Sequence, residues 1–314
     1  MKTRDYAVVM GGANVDIVGR PLEKLERYDS NIGTVHMVAG GVGRNIAENL
    51  ARRGIFTEII CAMADDSYGK FLKGHSIEHL SFAHAHEVAG GRTGVYLVLL
   101  DHDGEMDTAI NDMAAMDALT PEVLETRREV LAGAKIWVMD TNLPRESIEW
   151  ILAAARELNK PIIVDGVSAP KVVKLKGLLQ GIHSLKCNQY EAQALTGIHP
   201  GSLEEIIACG QALRREGVGN VVLTLGARGA YAFTEEGRYH VYGAPLEVTN
   251  ATGAGDAFVA ALALGAYRNL NFLDTVMDAT AYSRLTLQAE ESVVEELEPE
   301  ELIGERKEIK YETI

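Results

Sequence analysis

The run IWVMDTNLPRESIEWILAAARELNKPIIVD, residues 136–165, contains the pattern that decides the fold. It begins with an apolar segment at Ile136–Met139, continues with a helix-like segment at Arg145–Leu158 and returns to an apolar segment at Pro161–Val164. The middle segment has the periodicity of an amphipathic helix, whereas the flanking segments have the length and β-branched content of buried strands. Strand, helix and strand in this order predict a right-handed βαβ unit with two parallel strands.

The same alternation extends over most of the chain. Further strands are predicted at Tyr6–Met10, Glu58–Met63, Ser184–Lys186, Val221–Thr224 and Tyr231–Phe233, and further helices at Asn45–Arg53, Tyr68–Leu80, Pro121–Ala132 and Leu203–Glu216. Repeated βαβ units predict an α/β fold with a mostly parallel central sheet that is covered by helices on both faces. We expect a single domain over residues 1–314, with a last helix and a solvated end in Glu290–Ile314.

Two stretches, residues 14–38 and residues 92–111, break this alternation. The second is typical of a β-hairpin, because Thr93–Leu100 and Glu105–Ile110 flank the turn sequence Asp101–Gly104. Its first arm is too apolar for an exposed ribbon, so we expect the two stretches to form a small β lid over the ligand edge of the sheet. The alternative is a solvent-facing hairpin that only extends the sheet.

The composition limits the classes of partner. The chain has 45 acidic and 30 basic residues, a formal charge of −15, which argues against binding a nucleic acid polymer because phosphate backbones need clustered Lys and Arg. The three cysteines are far apart and form no CxxC pair, which favours a reducing compartment. No apolar stretch is long enough to span a bilayer. We therefore expect a cytoplasmic protein without a membrane partner.

Polar or glycine residues follow four of the predicted strands where each strand ends. These residues are Asp140, Asp165, Asn188 and Gly226. Open α/β sheets bind ligands in the crevice beyond the carboxyl ends of their strands. Each residue alone is explained equally well as a helix cap or a turn, but together they outline one long ligand site.

The sharpest motif is NATGAGD, residues 250–256, which is followed by an apolar helical run over residues 257–264. A glycine-rich turn that leads into a buried helix directs unpaired N–H groups at one point, with the positive end of the helix dipole behind them. This arrangement predicts an anion hole for a phosphoryl group, with Asp256 as the base for an attacking hydroxyl. A dinucleotide-binding turn is disfavoured, because Phe258 stands at its third small-residue position. The alternative that Asp256 is an ordinary acidic residue in the first turn of the helix stays open.

A second glycine cluster, GGVGRN at residues 40–45, opens the predicted helix Asn45–Arg53. The paired donor and acceptor of Asn45 can bridge two hydroxyl groups. Asp16, which follows the first strand, can accept a hydrogen bond from a sugar hydroxyl or can cap a turn. Two roles are open for Arg44: it contacts a substrate or an anion, or it is a surface residue.

Four ordered motifs resemble the landmarks of the ribokinase (PfkB) carbohydrate-kinase family. They are Gly40-Gly41-x-x-x-Asn45, Asn188-x-x-Glu191, the segment from Thr224 to Gly229, and the segment from Thr252 to Asp256. Their order and spacing match across essentially the whole chain. The resemblance implies ATP-dependent phosphorylation of a hydroxymethyl group on a sugar or nucleoside. It also implies a Rossmann-like αβα sandwich with a β lid.

Carried over position by position, the resemblance implies a role for each matching residue. Asp256 matches the catalytic base of the family, and the amides of Gly253, Ala254 and Gly255 match its anion hole. Asn188 and Glu191 match the Asn-x-x-Glu motif, which organises Mg²⁺ and phosphates, with Glu191 acting on the metal through water. The positions that match the nucleotide site are Thr224, Gly226 and Gly229. The positions that match the sugar site are Asn14, Asp16, Gly41 and Asn45.

One departure concerns the start of the last motif. The family has Asp-Thr where this chain has Asn250-Ala251, and the aspartate helps to form a monovalent-cation site in ribokinases. Activation by potassium is therefore left open for this chain.

Within the family, the segments at residues 13–17, 40–47 and 109–113 and the asparagine that opens the last motif, Asn250, are most similar to pseudouridine kinases. This similarity implies a C-nucleoside that is phosphorylated on its ribose 5′-hydroxyl, with Asn111 and Asp112 reading the uracil edge. The alternatives are a ribokinase or another nucleoside or sugar kinase and, in a different class, a non-catalytic nucleoside-binding protein. The apolar lid strand also suggests a homodimer that forms through the lid.

Overall fold

The structure is a computed structural model that describes residues 5–314. Its strands are β1 (Ala7–Met10), β2 (Asn14–Pro21), β3 (Gly33–Gly40), β4 (Thr57–Ile60), β5 (Ala62–Met63), β6 (Leu80–Ser81), β7 (His86–Glu87), β8 (Gly94–Leu100), β9 (Met106–Asp112), β10 (Ile136–Asp140), β11 (Ile162–Asp165), β12 (Ser184–Asn188), β13 (Asn220–Thr224), β14 (Ala230–Phe233), β15 (Arg238–Tyr242) and β16 (Lys310–Thr313). Its α-helices are α1 (Val42–Arg52), α2 (Ser67–Gly74), α3 (Pro121–Glu125), α4 (Arg128–Gly133), α5 (Arg145–Glu157), α6 (Ala169–Val172), α7 (Gln189–Thr196), α8 (Leu203–Arg215), α9 (Ala254–Arg268), α10 (Phe272–Gln288) and α11 (Pro299–Glu308). Short 3₁₀ turns cover Ala114–Ala118, Val173–Leu175 and Gly226–Arg228.

The main sheet has ten strands in the order β16-β15-β14-β13-β12-β11-β10-β1-β4-β6. Neighbouring strands pair in parallel from β13 to β6, whereas β14, β15 and β16 are antiparallel. The first βαβ unit identified in the sequence is present as β10, α5 and β11, and these two strands are adjacent in the sheet. The predicted mostly parallel α/β architecture is therefore confirmed.

Each face of the main sheet is covered by its own hydrophobic core. Along β1, Val8 and Met10 belong to one core and Ala7 and Val9 to the other, because successive side chains of a strand point to opposite faces. The first core contains side chains of α5, α7 and α8, and the second contains side chains of α1, α9 and α10. Both helical layers are therefore held by apolar burial, which makes the domain an αβα sandwich.

A second, small sheet has four strands in the order β3-β2-β8-β9. Its β2–β3 and β8–β9 pairs are antiparallel, and β2 pairs with β8 in parallel. The predicted hairpin is present, and Gly104 in its turn has a φ of +90°. The stretch at residues 14–38, which has only short mixed segments in the sequence, contains the eight-residue strand β2 and most of β3, which ends at Gly40, and these strands complete the small sheet.

Several predicted elements differ from the structure. The helix predicted at Pro121–Ala132 is divided into α3 and α4, and the strand predicted at Glu58–Met63 is divided into β4 and β5. The helix predicted at Tyr68–Leu80 ends at Gly74, and the chain then turns through His79, whose φ is +72°. The expected solvated end of the chain instead contains β16, which pairs with the edge strand β15. An edge strand offers unpaired backbone groups, so the polar terminal segment can add to it without an apolar pattern. Across residues 5–314, no helix has the length and apolar character needed to cross a membrane.

Candidate active site

Four adjacent strands place their polar ends side by side at one edge of the main sheet. In the register of the sheet, Asp140 of β10 pairs with Asp165 of β11, and Asp165 pairs with Lys186 of β12. One strand further, Asn188 at the end of β12 pairs with Thr224 at the end of β13. This edge is the carboxyl end of the parallel strands, where ligands of open α/β sheets bind. It is therefore the candidate site.

Asp140 holds the loop that leaves β1. Its Oδ2 accepts a 2.8 Å hydrogen bond from the N–H of Gly12, and its Oδ1 accepts a 2.7 Å bond from the N–H of Asn142. Burial raises the pKa of this fully buried carboxyl group. A Cβ at Gly11 would lie 2.2 Å from Asp140 Oδ2, so glycine is needed for this close approach. The start of β2 is thereby fixed against the edge of the main sheet.

The glycine-rich motif forms the start of α9. Gly253 is the N-cap, with a φ of +83°, and it makes no side-chain capping bond. A Cβ at this position would lie 1.9 Å from the carbonyl oxygen of Ser292, so the backbone excludes any other residue. The first N–H groups of a helix have no partner within the helix. The amides around Ala254 and Gly255 are thus available to an anion.

Asp256 lies in the first turn of α9 and is 9% exposed. Its Oδ2 accepts a 2.8 Å hydrogen bond from Nδ2 of Asn45 in α1. Burial and the nearby Asp165 raise the pKa of Asp256 to about 8, although the Asn45 bond and the Lys186 charge oppose this rise. A carboxyl group with a pKa near neutrality can accept and release a proton under ordinary conditions.

Lys186 is a site residue that the sequence interpretation did not identify as functional. Its Nζ lies 3.5 Å from Asp165 Oδ1, and a Cβ at Gly255 would lie 2.9 Å from the same Nζ. Burial opposes its charge, but Asp165, Glu191 and Asp256 together raise the pKa of Lys186 above its ordinary value. The ammonium group is therefore held charged beside the start of α9. The available sequence signal was a lysine within an otherwise apolar strand.

The residues predicted to bind a sugar meet at the base of the small sheet. Nδ2 of Asn14 donates a 2.5 Å hydrogen bond to Oδ1 of Asp16. Gly41 has a φ of +100°, and a Cβ there would lie 2.5 Å from the carbonyl oxygen of Gly12. Burial raises the pKa of Asp16 to about 6, while the Asn14 bond and the Arg44 charge lower it. These residues lie beside Asn45, which links them to Asp256.

Asn111 and Asp112 do not point to the same side of the small sheet. Asp16 is paired with Tyr96 of β8, and Tyr96 is paired with Asn111 of β9. Directly paired residues share a face, so the Asn111 side chain lies on the face of Asp16. Asp112 is the next residue of the strand and faces the opposite side. The expectation that both side chains reach the same ligand edge is therefore corrected, and only Asn111 shares the face of Asp16.

The Asn-x-x-Glu motif forms a capping box at the start of α7. Oε2 of Glu191 accepts from the N–H of Asn188 at 2.8 Å, and Oε1 accepts from Nδ2 of Asn188 at 2.5 Å. Glu191 is fully buried, and its pKa rises to about 6 because burial and Asp165 outweigh the effect of Lys186. Both carboxylate oxygens of Glu191 are therefore already bound by the protein.

The glycines that follow β13 form a tight turn next to Thr224. Gly226 has a φ of +58° with open space around its missing Cβ, so its backbone conformation alone favours glycine. Gly229 has a φ of +78°, and a Cβ there would lie 2.3 Å from the carbonyl oxygen of Val241. This turn leaves the end of β13 accessible beside Asn188.

Asn250 fixes the loop in front of α9. Its Nδ2 donates a 2.7 Å hydrogen bond to the carbonyl oxygen of Glu290, and its Oδ1 accepts a 2.8 Å bond from the N–H of Thr252. Both ends of the amide are thus used within the protein. The asparagine explains how the loop is held, and its oxygen is already engaged by a backbone donor.

Comparison with known proteins identifies the family. The pattern of the pfkB family carbohydrate kinases matches residues 4–297. Pseudouridine kinase of Escherichia coli (strain K12) is 38% identical over 293 residues, which cover 92% of this chain and 93% of that protein. Guanosine-inosine kinase of Exiguobacterium acetylicum is 26% identical and covers 81% of this chain and 85% of that protein.

Solved structures show the same fold. A carbohydrate kinase from Agrobacterium tumefaciens superimposes with a TM-score of 0.86 at 27% identity, covering 99% of this chain and 100% of that chain. Arabidopsis thaliana ribokinase complexed with ribose and ATP superimposes with a TM-score of 0.85 at 23% identity, covering 97% of this chain and 99% of that chain. The match to the family extends from β1 to β15 and over the start of α9, and the chain therefore belongs to the pfkB family of carbohydrate kinases, phosphotransferases that act on an alcohol group of a sugar or nucleoside.

Proposed function

We propose that this protein transfers the γ-phosphoryl group of ATP to the ribose 5′-hydroxyl of pseudouridine, giving pseudouridine 5′-phosphate and ADP. The position of Asp256 carries the proposed chemistry, because a buried carboxyl group lies in the first turn of a helix whose N-terminal amides are free. The 38% identity to a pseudouridine kinase over nearly the whole chain supports the choice of acceptor.

In the proposed reaction, Asp256 takes the proton of the acceptor hydroxyl. A bond forms between the acceptor oxygen and the γ-phosphorus, and the bond from that phosphorus to the oxygen bridging it to the β-phosphate breaks. The amides of Gly253, Ala254 and Gly255 stabilise the negative charge of the transferred group, and Lys186 adds a full positive charge beside them. Asn45 orients the carboxylate by its 2.8 Å hydrogen bond.

We propose that Mg²⁺ accompanies ATP and is held largely by phosphate oxygens and water. In residues 5–314, the only group of three or more acidic or histidine side chains that converge on one point is Asp101, His102 and Asp103, in the hairpin turn. The candidate site thus has no protein cage for a metal. Mg²⁺ usually keeps several of its waters. Because both oxygens of Glu191 already accept hydrogen bonds from Asn188, Glu191 would act on the ion through one of those waters. The ion would supply charge neutralisation to the phosphates.

The nucleotide is proposed to lie along the ends of β12 and β13. Asn188 and Thr224 are paired neighbours there, and the space beside Gly226 is open. The acceptor is proposed to lie between α1 and the small sheet, where Asn14, Asp16, Gly41 and Asn45 converge. The two substrates then meet at the start of α9.

Base recognition is proposed to involve Asn111, because it shares a face with Asp16. An amide side chain offers both a donor and an acceptor to the edge of a uracil ring. Pseudouridine presents one more ring N–H than uridine, because its ring is attached through carbon. A correctly placed oxygen can bond that group, and a site built for such a bond discriminates strongly against a ligand that lacks it.

We also propose a homodimer that forms through the small sheet. The face opposite Asp16 carries exposed apolar side chains, with Val35 73%, Leu99 41% and Ile110 65% exposed. Contiguous apolar surface of this kind marks a contact with another protein. Light scattering should give twice the chain mass of 34.0 kDa for the wild type. Ile110→Asp should give the monomer, and a monomeric wild type would contradict the proposal.

An acceptor screen tests the proposed reaction. ADP release is measured with pseudouridine, uridine, ribose, guanosine and inosine, and turnover should be greatest with pseudouridine. Preferred turnover of guanosine or inosine would favour a purine nucleoside kinase, and turnover of ribose alone would favour a ribokinase. Absence of turnover with every acceptor would contradict the proposal.

A pair of variants tests the role of Asp256. Asp256→Asn should lower kcat by about 10³-fold or more, because it removes the base without changing the shape of the side chain. Asp274→Asn is the matched control, because Asp274 occupies the same position in the first turn of α10. Equal activity of the two variants would show that Asp256 is only a first-turn acid.

A further inference from the structure

Arg44 is a buried charged residue directly in front of Asn45. Its side chain is 8% exposed, and that of its ion-pair partner Glu48 is 4% exposed. The sequence suggested that Arg44 either contacts a substrate or anion or lies at the surface. Neither alternative describes the buried position that it has in the structure. Arg44 is instead enclosed between the base of the small sheet and the first turns of α1.

Two nitrogens of the Arg44 guanidinium group, Nη1 and Nη2, contact acceptors in the protein. Nη1 donates to the carbonyl oxygen of Ala39 at 2.7 Å and to Oδ1 of Asn45 at 3.1 Å. Nη2 forms the ion pair with Oε2 of Glu48. Oε1 of Glu48 accepts from Nε and Nη2 of Arg52 at 2.9 and 2.6 Å. The guanidinium group is therefore held by one strand end and one helix, with a second arginine behind its counter-ion.

The bond from Arg44 has a directional consequence for Asn45. A side-chain amide has one acceptor end and one donor end. Because Oδ1 of Asn45 faces the guanidinium group, Nδ2 faces Oδ2 of Asp256 and donates to it at 2.8 Å. The opposite orientation would place an amide oxygen against a carboxylate and an amide N–H against a cation. The charge of Arg44 thus selects the orientation in which Asn45 stabilises the Asp256 carboxylate.

We propose that Arg44, which is ion-paired with Glu48, is a positioning residue that orients the amide of Asn45 and through it the carboxylate of Asp256. This inference rests on the proposed function, since it assigns Asp256 the role of base. A contribution to stability does not explain the buried Arg44–Glu48 pair, because buried ion pairs can often be replaced by apolar residues without loss of stability. A buried arginine between two functional elements is better explained by the geometry that it imposes.

Other charged groups also face this arrangement. Arg44 lowers the pKa of Asp16 across the acceptor site, and Arg52 faces Glu48 from the outer side of α1. Asp165, Lys186 and Asp140 face Asp256 from the main sheet. An effect of Arg44 through Asp16 is expected in the KM of the acceptor, whereas an effect through Asn45 is expected in kcat and in its pH dependence.

A double-mutant cycle on kcat tests the proposal. Arg44→Gln should lower kcat at pH 7 by about 10-fold, and in an Asn45→Ala background it should change kcat by less than about twofold. Arg52→Gln is the matched control, because it removes the outer partner of Glu48 and leaves the Arg44 contacts in place; its kcat should be unchanged. An equal loss in both backgrounds, or full activity of Arg44→Gln, would overturn the proposal.

A second measurement is independent of turnover. In protein labelled with ¹³C-aspartate, the carboxyl signal of Asp256 is identified by its loss in Asp256→Asn. Its titration midpoint should rise by about 0.5–1 pH unit in Arg44→Gln, because the stabilising Asn45 donor is no longer held in place. The double variant Arg44→Gln/Glu48→Gln removes both buried charges, so it is expected to fold, and should show the same rise. An unchanged midpoint would refute the proposal even if the acceptor is not pseudouridine, and an acceptor screen without turnover would refute only the proposed function.

Discussion

The amide of Asn45 donates a 2.8 Å hydrogen bond to the carboxylate of Asp256, although the two residues are 211 positions apart. This bond joins the glycine cluster that begins α1 to the glycine-rich turn that begins α9. It brings the proposed acceptor site and the proposed phosphoryl site to the same point. The electrostatics of that point lead to the first prediction.

The activity should rise with pH through the range in which Asp256 ionises. Burial raises the pKa of Asp256 to about 8, so only a minor fraction of the free enzyme has an ionised base at pH 7. We expect kcat/KM to rise with a midpoint near pH 8 and to level off only at higher pH, where Asp256 is fully ionised. Asn45→Ala should move the rising limb to higher pH, since the Asn45 bond lowers this pKa. A limb centred near pH 4 in initial-rate measurements would contradict this prediction.

Asp256 should reduce stability at alkaline pH. Its pKa is higher in the folded state than the ordinary value of 3.8, so the folded state binds the proton more tightly. The stability that this proton binding supplies is present at low pH and is lost as the pH rises through about 8. Asp256→Asn should therefore raise Tm at pH 9 by about 3 °C or more and change it little at pH 4. Thermal denaturation of Asp274→Asn, which carries an exposed carboxyl, should show no such gain.

Lys186 should be needed to keep the buried acids together. It forms an ion pair with Asp165 and also interacts with Glu191 and Asp256. Lys186→Met leaves the acids without their buried cation, which should lower the free energy of unfolding by about 3 kcal/mol. Lys186→Met/Asp165→Asn should recover part of that loss. Urea denaturation measures both variants and the single variant Asp165→Asn, and additive effects of the two substitutions would show that the pair is not coupled.

The two polar residues at the end of β9 should differ in their effect on acceptor choice. Asn111→Ala should reduce the preference for pseudouridine over uridine by about 10-fold, because its side chain shares the face of Asp16. Asp112→Ala should leave that preference unchanged, because Asp112 points to the other face. The ratio of kcat/KM values for the two nucleosides measures the effect. The reverse result would place the base on the opposite side of the small sheet.

Much of the fold was predictable because its signals are local. The βαβ unit over residues 136–165, the turn at Gly104 and the glycine-rich start of α9 depend on periodicity and backbone conformation within a few residues. The strand β16 was not predictable in this way, because its short polar segment is held by pairing with the edge of β15 and not by an apolar pattern.

The site was only partly predictable for the same reason. Asp256 and its neighbouring amides form a motif within one segment, so the sequence alone was enough to propose them as a group. The face on which a strand residue lies depends on its pairing, which separates Asn111 from Asp112 although they are adjacent in sequence. Lys186 lies in the site because the parallel pairing of β11 and β12 places Asp165 beside it, and this pairing is not visible in the local sequence.

From sequence alone, the α/β architecture and the motifs of the site can be derived, because helix and strand periods and glycine conformations are properties of short segments. The tertiary structure alone decided how those segments act on one another. It buried Arg44 with Glu48, turned the Asn45 amide toward Asp256, and enclosed Lys186 among the acids. Removing charges from water makes their interactions strong, and only the packing of distant segments removes them from water.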